Sequence, residues 1–358
     1  MLTSSDEQRS NAMAVWQGAT LVYTLFGINQ YGERYGSWMI SSSLGGGGAR
    51  SFGDGHDTSG PLMAPCYSAI NVEHAESLYP VLFLYRRRAA DSGGPGRWRG
   101  GVSADHAVTP YGTSEIAISV TSSGADHSHT VGLVGGYPGA GSTVRISLGG
   151  LPAQSAPQAL PADWNEIGGQ KKILPPKTRL TLKPGDVFST IPHGGGGFGD
   201  PLDRNPENVR RDVVERTVSI EGTRKYYGVV LSVGSLLVDD AATATLREEL
   251  RKSRIGHAPA ATALRRNMDR SGIVRANGHW QCAACDLPLG PVDQNPKEAC
   301  SYHLQPVSTA GPLIAAETRG ESKNFQLIEY SCPACGSLLV VDQRLKSDAS
   351  HWHDVRLA

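Results

Sequence analysis

In SEIAISVTSS, residues 114–123, apolar side chains occupy every second position, at Ile116, Ile118 and Val120, with polar or small residues between them. Successive side chains of an extended chain point to opposite faces, so this alternation predicts a strand with one buried face. LYPVLFLYRR (78–87), STVRISLGG (142–150) and TRLTLKPGDVFSTIP (178–192) show the same β-branched and aromatic bias, which makes the centre of the chain β-rich. Beyond residue 204 the spacing turns helical. Asn205 as cap and Pro206 in the first turn predict a helix to about Arg216, and Ser219 opens a second one that Gly228 stops. Asp239 or Asp240 caps a third, closed by Gly256, with Glu248 and Lys252 one turn apart on a charged face. At the start, Ser4 or Ser5 offers an N-cap ahead of acidic residues and a partly apolar run, which predicts an opening helix. After Gly256 the composition shifts to Ala, Pro, Arg and His without apolar periodicity, the mark of a linker ending near residue 272.

Length and charge narrow the partners. A chain of 358 residues holds two or more folding units with cores of their own. Lys plus Arg and Asp plus Glu number 34 each, so no net field draws in nucleic acid or an anionic membrane. The first residues lack the basic and apolar regions of a signal peptide, and no stretch approaches a membrane span, which predicts a cytoplasmic chain. Glycine, at 43 residues, is concentrated at 45–60, 93–101, 135–150 and 194–199. Such runs let backbone turn sharply or approach other backbone closely.

Five of the six cysteines follow residue 280, and four form the pairs Cys282-x-x-Cys285 and Cys332-x-x-Cys335. Each CxxC turn aims two thiolates at one point, and two such turns complete the tetrahedral sulfur shell that Zn2+ favours. A closed shell leaves no open position for water, so this zinc is expected to be structural. Cys300 and His303, between the pairs, are lesser substitutes. The expected fold class is therefore α+β: a β-rich core domain with flanking helices over residues 1–255, a linker over 256–271, and a small zinc-binding, ribbon-like C-terminal domain over 272–358.

Three stretches offer acid–base chemistry. GGGGARSFGDGHDTSG gathers Asp54, His56 and Asp57, suited to a hard cation or to proton transfer, although Asp-Gly pairs also make ordinary turns. ADHSHT places Asp126, His127 and His129 together. HGGGGFGDPLDRNP sets His193 before four glycines. A phosphate cradle needs Lys and Ser or Thr at the helix start, whereas Asp200 and Asp203 follow here and would repel phosphate. The glycines read instead as a close crossing of backbone, with His193 beside it.

DSGGPGRWRGG (91–101), TVGLVGGYPGA (130–140), GGGGFGDPLDRNP (194–206) and VDDAATATLREELR (238–251) stand in an order and spacing that resemble the C-terminal half of the hydantoinase B/oxoprolinase family, over about residues 35–252. The tail, LIEYSCPACGSLLVVDQRLKSDASHWHDVRL, resembles the end of the zinc-containing gamma subunit of acetone carboxylase. The family includes ATP-dependent cyclic amidohydrolases and the large subunits of acetone and acetophenone carboxylases. The gamma-like tail favours the carboxylases. The resemblance implies a subunit of an ATP-dependent, biotin-independent carboxylase complex, inactive alone, with a hydantoinase, oxoprolinase or lactamase subunit as the alternative. It implies a partner chain carrying the missing N-terminal half and an actin-like, hydantoinase A-type ATPase subunit. ATP and a catalytic divalent metal are expected in those partners, with bicarbonate and a small molecule as substrates. His193, His56 and Asp57 are expected to face the shared chamber.

Overall fold

The computed structural model describes residues 11–17, 21–39, 43–61, 69–152, 160–260, 272–314 and 322–348. The first part comprises β1 (Val22–Ile28), β2 (Arg34–Met39), helix α1 (Val72–Leu78), β3 (Val81–Arg88), β4 (Ala104–Pro110), β5 (Ile116–Thr121), β6 (Thr143–Leu148), β7 (Gln170–Ile173), β8 (Lys177–Leu182) and β9 (Val187–Ile191). They build two antiparallel sheets, ordered β2-β1-β5-β8 and β3-β4-β9-β6-β7. The alternation of β5 sends Ile116, Ile118 and Val120 inward while Ala117 and Thr121 stay exposed. There they join Tyr23 and Leu25 of the same sheet and Phe83, Val108, Val144, Ile146 and Phe188 of the other, so the sheets share one core as a sandwich.

β4 and β9 are buried at every position. That double burial explains why ADHAVTP shows no alternation: both faces of the strand are covered. His106 of β4 accordingly sits in the core, 3.2 Å from Tyr23 Oη and from Thr190 Oγ1. Burial, reinforced by the charges of Arg86 and Arg145, pushes its pKa down to about 3 and keeps the ring neutral.

The expected helices form α2 (Pro206–Val214), α3 (Ile220–Tyr227) and α4 (Asp240–Ile255). Asn205, Ser219 and Asp239 cap them through side-chain oxygens, and Gly228 and Gly256 end the last two at φ 59° and 77°. The opening helix expected from Ser4 or Ser5 starts among residues 1–10, outside the described ones. Residues 11–17 are not helical, and VYTLFGI is strand β1. There β-branched and aromatic residues alternate in and out of the core, as a strand requires. The C-terminal part holds two antiparallel three-stranded sheets: β10 (Ile273–Ala276), β11 (His279–Cys282) and β12 (Pro288–Pro291), then β13 (Ser301–Gln305), β14 (Phe325–Ser331) and β15 (Leu338–Leu345). None of the described helices is long and apolar enough to cross a membrane.

Between the sandwich and the helices lies backbone of another kind. Six consecutive amides, from Gly194 to Gly199, donate to Ala140, Gly101, Val15, Tyr137, Trp98 and Leu133 in turn. Partners from segment 137–140 recur at Gly194 and Gly197, and those from 98–101 at Gly195 and Phe198, a repeat of three residues. Three per turn is the period of a polyproline II helix, which bonds only to its neighbours. The neighbours lie so close that a Cβ on Gly195 would overlap the Gly47 carbonyl, and one on Gly194 the Ser92 carbonyl. Glycine is required there for the absence of its side chain. The expected close crossing is thus present, and deeper than one turn.

Gly195→Ala is expected to cost at least about 3 kcal/mol, because the carbonyl it meets belongs to backbone held on several sides. Gly53→Ala, where a Cβ would meet nothing within 4 Å, should stay within about 0.5 kcal/mol. Urea unfolding of both variants checks the pair, and equal losses would contradict the close-contact account.

Candidate metal centre, histidine cluster and buried charge network

The two CxxC turns have the same local build. The Cys282 carbonyl accepts from Asp286 N and the Cys332 carbonyl from Gly336 N, each at 2.9 Å, while Cys282 N and Cys332 N donate to Leu287 and Ser337. Asp286 and Gly336 adopt φ 59° and 68°, which turns each chain back on itself after its second cysteine. The four Sγ atoms lie within 4.8 Å of one another, with Cys282 and Cys335 at 3.8 Å and Cys285 and Cys332 at 3.6 Å. Sulfurs bonded tetrahedrally to Zn2+ stand about 3.8 Å apart, whereas a disulfide needs about 2.05 Å. The set therefore fits a four-coordinate metal such as zinc and no disulfide. Apolar Ala284, Leu289 and Leu339 wall it off. Cys300 lies outside the set, its thiol facing the Pro296 carbonyl at 3.4 Å and pushed up to about 12 by burial. His303 is on β13, likewise outside it.

Asp54 and Asp57 have arginines as their counter-ions. Arg204, fully buried, contacts Asp54 at 2.6 Å and Asp212 at 2.8 Å. Arg99 bridges Asp57 at 2.9 Å and Asp212 at 3.4 Å. Backbone amides of Arg99 and Val102 complete the two carboxylates. Burial alone would raise the Asp54 pKa, but the hydrogen bond and charge of Arg204, with Arg99, outweigh it and hold the group below its ordinary range. A second set joins α4 to the glycine signature: Arg251 to Asp203 at 3.1 Å and Arg254 to Asp200 at 2.8 Å. Arg99, Arg204 and Asp212 gave no signal in the sequence, because arginine in a loop and aspartate on a helix are ordinarily solvent-facing residues.

The histidines separate into two places. His193 is fully buried, its ring beneath Gly124 and nearly parallel to His129 at 5.8 Å. His127 stands 5.0 Å from His129 and stacks on Phe325 at 3.7 Å. Burial and the neighbouring His129 lower the His127 pKa against the pull of Asp126, whose carboxylate accepts from Ser322 Oγ at 2.9 Å. His193, His127 and His129, read separately along the chain, thus form one cluster running from exposed to buried. His56 is exposed instead, 6.1 Å from Trp16, and Asp57 is held by Arg99.

The glycine crossing, with the His193 run at its centre, falls within a stretch matched by a family model. That model, described as Hydantoinase B/oxoprolinase, matches residues 4–201. The chain belongs to the Hydantoinase B/oxoprolinase family. The matched stretch begins and ends earlier than residues 35–252, so it takes in β1 and β2 and leaves out α2 to α4. Among curated relatives, the acetone carboxylase alpha subunit of Xanthobacter autotrophicus is 29% identical over 74% of this chain and 37% of its own length. The caprolactamase beta subunit of Pseudomonas jessenii is 30% identical over 59% of this chain and 34% of its own. The acetophenone carboxylase delta subunit of Aromatoleum aromaticum is 25% identical over 81% and 44%. This Hydantoinase B/oxoprolinase chain spans under half the length of each of the three.

Cys332→Ser is expected to abolish metal binding and to expose residues 272–348 to protease, since metal-binding and folding energy are one quantity in a site this small. Elemental analysis with limited proteolysis checks it. Undiminished metal and an unchanged cleavage pattern would mean another ligand set.

Proposed function

We propose that this chain is one subunit of an ATP-dependent, biotin-independent carboxylase of the acetone or acetophenone carboxylase type, acting on a ketone-like substrate. One observation carries the choice. The acetophenone carboxylase match covers 81% of the chain, about 290 residues, more than residues 1–255 contain, so it runs on toward the cysteine-bearing part. The caprolactamase match, at 59% or about 211 residues, is shorter than residues 1–255 and does not require the cysteine-bearing part. In this reading residues 1–255 form part of the wall of the reaction chamber, 256–271 a linker, and 272–358 a docking module. Zinc is the metal we assign to Cys282, Cys285, Cys332 and Cys335, because four thiolates in a closed shell suit it.

The chemistry asks for activation of bicarbonate by ATP and stabilisation of an enolate in a water-poor chamber, where aimed donors act strongly. A partner chain with the remaining part of the large subunit and an actin-like ATPase subunit would bring ATP and a divalent metal, in the cytoplasm. Within this chain, His193 is the residue we assign to proton transfer or charge stabilisation, with exposed His129 between it and solvent. His56 lies one glycine along from the His193 crossing, its carbonyl accepting from Gly47 as the His193 carbonyl accepts from Gly46. Asp57 would act there by orienting Arg99. The 30% identity to the caprolactamase subunit supports a second reading, ring opening of a cyclic amide on the same scaffold.

The complex purified through a tag on this chain is expected to hydrolyse ATP only with bicarbonate and a ketone, and the chain alone to be inert. Hydrolysis driven by lactams or hydantoins without bicarbonate would establish the second reading instead. In the active complex, His193→Ala should lower turnover roughly tenfold or more with assembly unchanged. Full turnover by a properly assembled variant would remove His193 from the chemistry.

A further inference from the structure

The second cysteine turn and the glycine signature meet at one side chain. Asp200 closes GGGGFGD and is almost fully buried. One of its oxygens caps the following turn by accepting from Leu202 N at 3.0 Å. The other accepts from Leu338 N at 2.9 Å, three residues beyond the metal ligand Cys335. Arg254 binds both oxygens, at 2.8 and 3.1 Å, and its Nη1 also donates to the Gly336 carbonyl at 3.2 Å. The backbone is equally close. A Cβ on Gly336 would lie 2.8 Å from the Arg251 carbonyl, and one on Gly135 would overlap the Leu338 carbonyl. Nearby, the buried Tyr137 hydroxyl donates to Glu329 of β14 at 2.6 Å.

We infer that Asp200 is a positioning residue that couples the metal centre to the glycine rod carrying His193, so that metal occupancy sets the order of residues 193–203. The inference rests on the metal reading above. The carboxylate answers to three elements at once: its own turn, α4 through Arg254, and the Gly336–Leu338 backbone, whose course is dictated by the Cys332–Cys335 turn. Without a metal, four thiols within 4.8 Å have no shared partner, and the turn loses what fixes it. Asp200 then loses the Leu338 N donor and Arg254 the Gly336 acceptor, the buried pair is left with one hydrogen bond fewer on each side, and the end of the rod loosens.

Hydrogen exchange of the full chain, in its purified assembly, tests this with three samples: metal-replete, chelator-treated, and Asp200→Asn with metal. Asparagine keeps the cap on Leu202 but lacks the charge that holds Arg254. Chelation and Asp200→Asn are each expected to speed exchange in peptides covering 193–203 at least about tenfold while β5 peptides are unchanged. Asp200→Asn should retain its metal, and Arg254→Lys, which keeps the charge but loses the fork, should show the same local effect. Unchanged exchange at 193–203 after verified metal loss would overturn the coupling and leave the metal reading standing. Absence of thiolate-to-cobalt absorption on Co2+ titration of the reduced chain would overturn both. A rise that includes β5 would show global unfolding and count against a local joint.

Discussion

Backbone packed directly on backbone is the constraint from which the rest of this structure follows. Where the Gly194–Gly199 run crosses the segments around Gly47, Ser92, Gly101 and Tyr137, amides and carbonyls are interlaced and no Cβ fits. Such a rod gains hydrogen bonds but buries few side chains, and glycine gives up more chain entropy on ordering than any other residue. Its stability has to come from what surrounds it. The two-sheet sandwich supplies a conventional apolar core on one side. Helices, buried ion pairs and the cysteine-bearing sheets supply the other.

The arginines solve a problem that irregular backbone creates. Loops that leave the glycine crossing carry carbonyls with no ladder to join, and each must find a donor. Arg204 reaches the Arg97 carbonyl, Arg99 that of Gly100, Arg247 those of Tyr227 and Arg204, and Arg251 that of Leu202. A planar guanidinium has five donors in a fixed fork, so it can satisfy a carbonyl and a carboxylate together. Desolvating these charges costs about as much as their pairing returns, which makes them devices of geometry more than of stability. Losing one partner is the damaging change, because it leaves the other charged and buried.

What the sequence disclosed, and what it hid, divides along the same line. Most elements with one wet face were legible: the alternation of β5, and the capped helices whose Asn205, Ser219 and Asp239 hold the bonds expected of them, though not β1. Of the two strands dry on both faces, β9 was legible from its β-branched bias, while β4 was not, because Asp105 and His106 interrupt any apolar pattern yet are buried. The four cysteines were readable because a metal shell is local in chemistry even when its halves are 47 residues apart or more. The His127, His129 and His193 cluster was hidden, since its members meet only when the rod passes under Gly124. The arginine and aspartate pairs failed to show for a different reason: their partners are up to 150 residues distant, and no period links them.

The rod also explains why two chemically unlike centres belong to one short signature. His193 stands at its start, against the loop of His129, and Asp200 at its end, against the turn of Cys335. The run between them follows the three-residue repeat of a polyproline II path until Gly199, whose φ of 77° turns the chain toward Asp200. An isolated glycine segment of that kind would be flexible, with no internal bonds to stiffen it. Here each amide from Gly194 to Gly199 is held by a different residue on the surrounding segments, so a slip of one residue would break all six bonds. Register along the rod is therefore set cooperatively. A displacement at one end is resisted at every step to the other, and this lets a metal-bearing unit on the flank influence a histidine it never touches.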